Sequence, residues 1–154
     1  MNQSRYRKRS ASWAEAGVKA EAAAVGAYSR LLRDPRSPAV TEALRRHLED
    51  HRQALGLLGS LSPSGGAVPP PPEELPSSSP WAAALASGRD VHALLAELER
   101  AESESLSAYE AAAKDQALSP ADRVALRTVI LPRQRSHAAL LGRLRSPDAE
   151  TSVH

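Results

Sequence analysis

The chain has 154 residues, a formal net charge of +2 and 42% hydrophobic residues, with no cysteine, no phenylalanine, one methionine and two tryptophans. That length fits one domain, and the missing thiols exclude disulfides, thiolate metal sites and thiol catalysis. A core drawn mainly from Leu, Ala and Val, with strand-forming aromatic side chains scarce, favours closely packed helices over a sheet.

Residues 1–11 read as a basic, disordered tail. Arg5, Arg7, Lys8 and Arg9 supply four of the 20 Lys and Arg, so the rest of the chain, with 18 Asp and Glu, is slightly acidic. A run of this kind can touch nucleic acid or anionic lipid. Nothing aromatic beyond Tyr6 interleaves with it, however, and a solvated arm is the simpler expectation. No nucleic-acid or membrane partner is therefore expected, residues 1–9 being the one exception. No apolar run reaches the length of a membrane span and no signal-peptide core follows the basic run, so a cytoplasmic location is expected.

Ser12-Trp13-Ala14-Glu15 matches a capping box and predicts a first helix from there to about Leu32, ended by Asp34-Pro35. Its inward stripe is Val18, Glu21, Val25, Tyr28, Leu32. Ser37-Pro38 starts a second helix to about Leu58, with Gly59 as its stop. Its stripe is Val40, Leu44, Leu48, His51, Leu55, Leu58. Residues 60–80, dense in Pro, Ser and Gly, predict a long connection rather than an element. A short turn at Trp81–Ala86 follows, with Trp81 lidding one end of the molecule. Asp90 caps a third helix, VHALLAELERAESESLSAYEAAA, whose stripe is Val91, Leu95, Leu98, Glu102, Leu106, Tyr109, Ala113. Ser119-Pro120 opens a fourth, with Leu126, Ile130, Arg133, His137, Leu141 and Leu144 inward and Pro132 kinking it or displacing a hydrogen bond. Residues 146–154 read as a flexible end.

Each of the four stripes is interrupted by one ionisable residue. Two of the interrupting residues also repeat: Ala20-Glu21, Ala27-Tyr28 and Asp34 recur 81 residues later as Ala101-Glu102, Ala108-Tyr109 and Asp115. Ser37-Pro38-Ala39 recurs as Ser119-Pro120-Ala121. The chain thus reads as two similar helical hairpins joined by the Pro-rich stretch. The resulting fold class is all-α: an antiparallel four-helix bundle over residues 12–145, with Glu21, His51, Glu102 and His137 meeting in its interior.

The stretch from Trp81-Ala-Ala-Ala-Leu through Leu94-Leu-Ala-Glu-Leu-Glu-Arg-Ala-Glu102 and Tyr109 to His137 resembles the ferritin-like superfamily. Within it, the nearest likeness is a bacterial branch of four-helix proteins classed as a domain of unknown function. The resemblance implies an up-and-down bundle. It also implies two single glutamates, matched by Glu21 and Glu102, and two Glu-x-x-His pairs, of which only His51 and His137 are present. Leu48 and Gln134 stand where the bridging carboxylates belong.

Two readings follow. The first is a non-enzymatic bundle with a degenerate dinuclear site, free of cofactor, acting through self-association or contact with another protein. In that reading two glutamates and two protonated histidines close a neutral network, with Tyr28 and Tyr109 as further partners. The alternative is a mononuclear protein holding one Fe, Mn or Zn ion through Glu21, His51, Glu102 and His137, with Tyr28 and Tyr109 outside the ligands, for storage, sensing or weak oxidase activity. His47, four residues before His51, reads as a helix-edge residue that could add a ligand. His92 and the remaining glutamates of the third helix read as solvated surface. No nucleophile elbow or glycine-rich phosphate loop occurs.

Overall fold

The structure, a computed structural model, describes residues 3–62, 75–88 and 90–146, with side chains from Trp13 onward. Among these, every regular element is helical: α1 (Gln3–Leu31), α2 (Pro38–Leu61), α3 (Pro80–Ala86), α4 (Val91–Ala113), α5 (Pro120–Ala125) and α6 (Leu131–Arg145). A π-helical turn at Leu126–Ile130 joins the last two into one run. Residues 63–74, most of the connection expected at 60–80, lie outside the described residues, as do 147–154 of the expected flexible end.

Four helix starts are capped by a side chain, three of them at the residues the sequence announces and the fourth at Ser79. The side chains of Ser37, Ser79, Asp90 and Ser119 accept from the amides of Val40, Trp81, Ala93 and Asp122, and proline follows each of the three serines. Each satisfies an amide that the first turn leaves open. The expected start at Ser12 is corrected: α1 begins at Gln3 and Ser12 is interior to it. Residues 3–11 contain no Gly or Pro and are rich in Arg and Lys, so nothing there stops a helix from propagating backward. The tail of residues 1–11 is therefore in large part a continuation of α1. The stop expected at Gly59 is corrected as well. The helix runs through Gly59 to Leu61, and Ser62 turns extended at φ −82°, ψ 154°, as the residue before a proline must.

Helix α1 lies along α2, and α4 along α6. Gly17 meets Leu58, Glu21 meets His51 and Tyr28 meets His47, so numbers rise along α1 as they fall along α2. Helix α3 packs against both α4 and α1. Its Trp81, only 2% exposed, lies tilted against Tyr28 at 5.6 Å and meets the His51 ring edge-on at 5.7 Å. It covers the polar centre of the molecule rather than an end.

The inward stripes are largely those read from the spacing. Two departures matter. Val91 is 39% exposed, and Leu94 takes the buried place instead. In the final run the π turn, closed by Leu131 N donating to Leu126 O, accommodates one extra residue ahead of Pro132. Just beyond it Gln134 is buried where Arg133 was expected, while His137 and Leu141 keep their expected places.

These packing differences give a direct stability contrast. Leu98→Ala, at a fully buried site, is expected to lower the unfolding free energy by about 2–5 kcal/mol. Val124→Ala, at a 60% exposed site, should stay within about 0.5 kcal/mol. Urea titrations of the two variants measure both.

Candidate metal centre

Glu102 sits at the middle of α4 with no exposed surface. An ionised carboxylate offers about four acceptor sites, and each of the other long helices sends donors to it. Tyr28 Oη, from α1, donates to Oε1 at 2.6 Å. His51 Nε2, from α2, donates to the same oxygen at 2.8 Å. Gln134 Nε2, from α6, donates to Oε2 and to the Glu102 backbone carbonyl, the latter at 2.9 Å.

His51 also places Nδ1 at 2.5 Å from Glu21 Oε2. Carboxylates only accept, so both ring nitrogens donate and the ring is an imidazolium held between two anions. Burial alone would lower its pKa, but the charges of Glu102 and Glu21 and the bonds to them lift it well above the ordinary histidine value. The reciprocal effect holds for Glu102. Burial would raise its pKa, but the His51 charge and the nearby nitrogens of His137 and His51 keep it well below the usual carboxylate range. Glu21 completes its own shell by accepting from Tyr109 Oη at 2.6 Å. Burial and the facing carboxylates raise the pKa of both tyrosines, so both phenols keep their protons.

His47 and His137, their rings stacked at 4.1 Å, approach the same oxygen, with Nδ1 atoms 4.0 and 3.6 Å from Oε1. Burial and the neighbouring His137 push the His47 pKa down to about 3, so its ring is neutral across the ordinary pH range. Tyr28 has given its one proton to Glu102, so the 3.1 Å contact between its oxygen and His47 Nδ1 requires His47 to donate there, which leaves Nε2 as its lone-pair nitrogen. His137 Nε2 is bonded to Asp50 Oδ2 at 2.9 Å. Its Nδ1 is buried and has no hydrogen-bond partner. It faces Glu102 Oε1 at 3.6 Å, too far for a hydrogen bond but close enough to feel the charge.

The structure therefore gathers Glu21, His51, Glu102 and His137 into one buried cluster, yet gives them different partners. Glu21 and His51 are bound to one another and to Tyr109 and Glu102. The side chains whose donor atoms converge are His47, Glu102 and His137, all within 4.8 Å of one another, and this group can hold one metal ion. Two ligands each about 2.1 Å from a tetrahedral ion stand about 3.4 Å apart, close to the 3.6 Å between Glu102 Oε1 and His137 Nδ1. The expectation that His47 occupies a solvated helix edge is corrected, since it is 1% exposed. Its signal was present: it follows Leu44 by three residues and precedes His51 by four, on the same face. Asp50 gave no signal, because it lies toward the solvent side of α2. Leu48 is buried apolar surface, and Gln134 serves Glu102 as a donor.

No protein-family model, curated protein or solved structure matches this chain.

The two perturbed histidines give opposite pH dependences in the metal-free protein. His47, depressed in the fold, contributes stability above the unfolded value near 6.5 and loses it as pH falls toward about 3. The loss amounts to about 1.4 kcal/mol per pH unit. His51, raised in the fold, contributes fully below about 6.5 and loses its share as pH rises toward its folded pKa. In urea titrations with chelator present, His47→Leu should flatten the slope between about pH 6 and pH 4.5 and leave the alkaline side unchanged.

Proposed function

We propose that this protein is a non-catalytic carrier or sensor of a single divalent metal ion, held by His47, Glu102 and His137 inside an antiparallel four-helix bundle of ferritin-like topology. The observation that carries this reading is the buried, unpartnered Nδ1 of His137 facing a carboxylate oxygen. A buried nitrogen left without a partner is costly, and a cation between it and Glu102 removes the cost.

Formal charge points the same way. Glu21, Glu102 and Asp50 are opposed by one cation, the His51 imidazolium, while His47 is neutral. With His137 neutral as well, the cluster is short of two positive charges, which a divalent ion supplies. Protonating His137 supplies only one, so the self-neutralising network of two glutamates and two histidines is incomplete once Asp50 is counted. Imidazole and carboxylate donors suit Zn, Fe(II) and Mn. The three ligands are 0–3% exposed, which suits an ion that is retained rather than one that turns over substrate. Leu48 in place of a bridging carboxylate argues against a second ion and against dinuclear oxidase chemistry.

The antiparallel run of α1 along α2, the packing of α4 along α6, and the convergence of all four on Glu102 support the bundle topology. Elemental analysis decides the metal reading. Protein prepared without a histidine tag, loaded with Zn, Mn or Fe(II) and desalted, should retain one ion per chain and melt at a higher temperature than the chelator-treated form. At 100 times Kd the ion adds about 2.7 kcal/mol. Glu102→Gln and His47→Leu should each lose the ion. If the wild-type chain retains none, the metal-free bundle acting through protein contacts or self-association is the correct reading.

A further inference from the structure

We propose that Asp50 is a positioning residue of this centre, fixing the His137 ring with its proton on Nε2 and its Nδ1 lone pair toward the ion site. The inference rests on the metal reading above. Asp50 Oδ2 lies 2.9 Å from His137 Nε2, and a carboxylate can only accept there. The proton is thereby assigned to Nε2, leaving Nδ1 as the inward donor atom. A histidine ring whose outer N–H is bound to a carboxylate cannot flip without breaking a charge-assisted bond, and the bond makes its inner nitrogen more basic.

Placement in the fold supports the role. His47 stands one helical turn before Asp50 on α2, so this helix supplies both a ligand and the group that orients a ligand on α6. Helices α2 and α6 make few backbone approaches, and the Asp50–His137 bond is a polar tie across that gap. Asp50 is also the one member of the cluster with substantial side-chain exposure, 27% against 0–3% for Glu102, His47, His51 and His137. Water on its far side lets it keep its charge at less cost than an inner carboxylate.

The test uses the full chain with 15N-labelled histidine, metal-free and then titrated with Zn2+ against a chelating dye. Long-range 1H–15N spectra of the wild-type protein should show His137 as a single tautomer protonated on Nε2. Asp50→Ala should give mixed tautomers or Nδ1–H, and Zn2+ binding weaker by about 10–100-fold. Asp50→Asn keeps an acceptor without the charge and should fall between, carrying the test if Asp50→Ala does not fold; Asp50→Glu should recover part of the affinity. An unchanged tautomer and unchanged Zn2+ affinity in Asp50→Ala overturn the proposal. A wild-type chain that binds no Zn2+ overturns the metal reading instead, and the spectra then decide alone whether Asp50 orients the ring.

Discussion

A carboxylate with no exposed surface dictates the interior of this protein. Glu102 must be surrounded by donors or it cannot remain ionised, and no single helix carries enough of them. One donor comes from Tyr28, one from His51 and a bidentate amide from Gln134. Three helices are thus drawn to a fixed height along the fourth. The apolar stripes supply most of the burial, but they tolerate sliding by a turn. The polar contacts do not, because a shift of one turn, about 5.4 Å, breaks all of them. The cluster therefore sets register while the leucines and alanines supply the driving force.

Around Glu102 the environment divides into two halves of different character. One is a closed ionic chain running Tyr109, Glu21, His51, Glu102, in which every polar atom named has a partner. The other, His47 and His137, is electrically underfilled and contains the unpartnered nitrogen. Trp81 covers the first half, its ring tilted against Tyr28 and edge-on to His51. The site is thus asymmetric. Glu21 and Glu102 each follow an alanine and precede an Ala-Tyr pair by the same spacing, yet only Glu102 is shared between the two halves.

The helical class, the caps at Ser37, Asp90 and Ser119, and the convergence of Glu21, His51, Glu102 and His137 were legible in the spacing of residues. Periodicity reports which face is inward, and an ionisable residue on that face is visible at once. What it does not report is pairing within the cluster. His51 looks like a ligand by spacing, but two flanking carboxylates make it a cation. Asp50 is invisible because its helix face is partly solvated and its partner lies on a helix far away in sequence. His47 shares a face with Leu44 and His51, but the spacing does not say what it pairs with. Gln134 took the inward place that the spacing gives to Arg133, next to a local change of helical pitch.

That change of pitch carries a consequence for which alterations of the chain can be tolerated. The π turn at Leu126–Ile130 accommodates one more residue than an α-helix needs, just upstream of Gln134 and His137. Removing any one residue from the turn would let the run heal into a continuous α-helix, rotating everything beyond it by about 100° relative to the preceding part. Gln134 and His137 would both leave the interior together. Substitutions along this stretch can be absorbed locally, whereas a single-residue deletion would silence both side chains while leaving the helix itself better formed. The fold here is more sensitive to the length of the segment than to its composition.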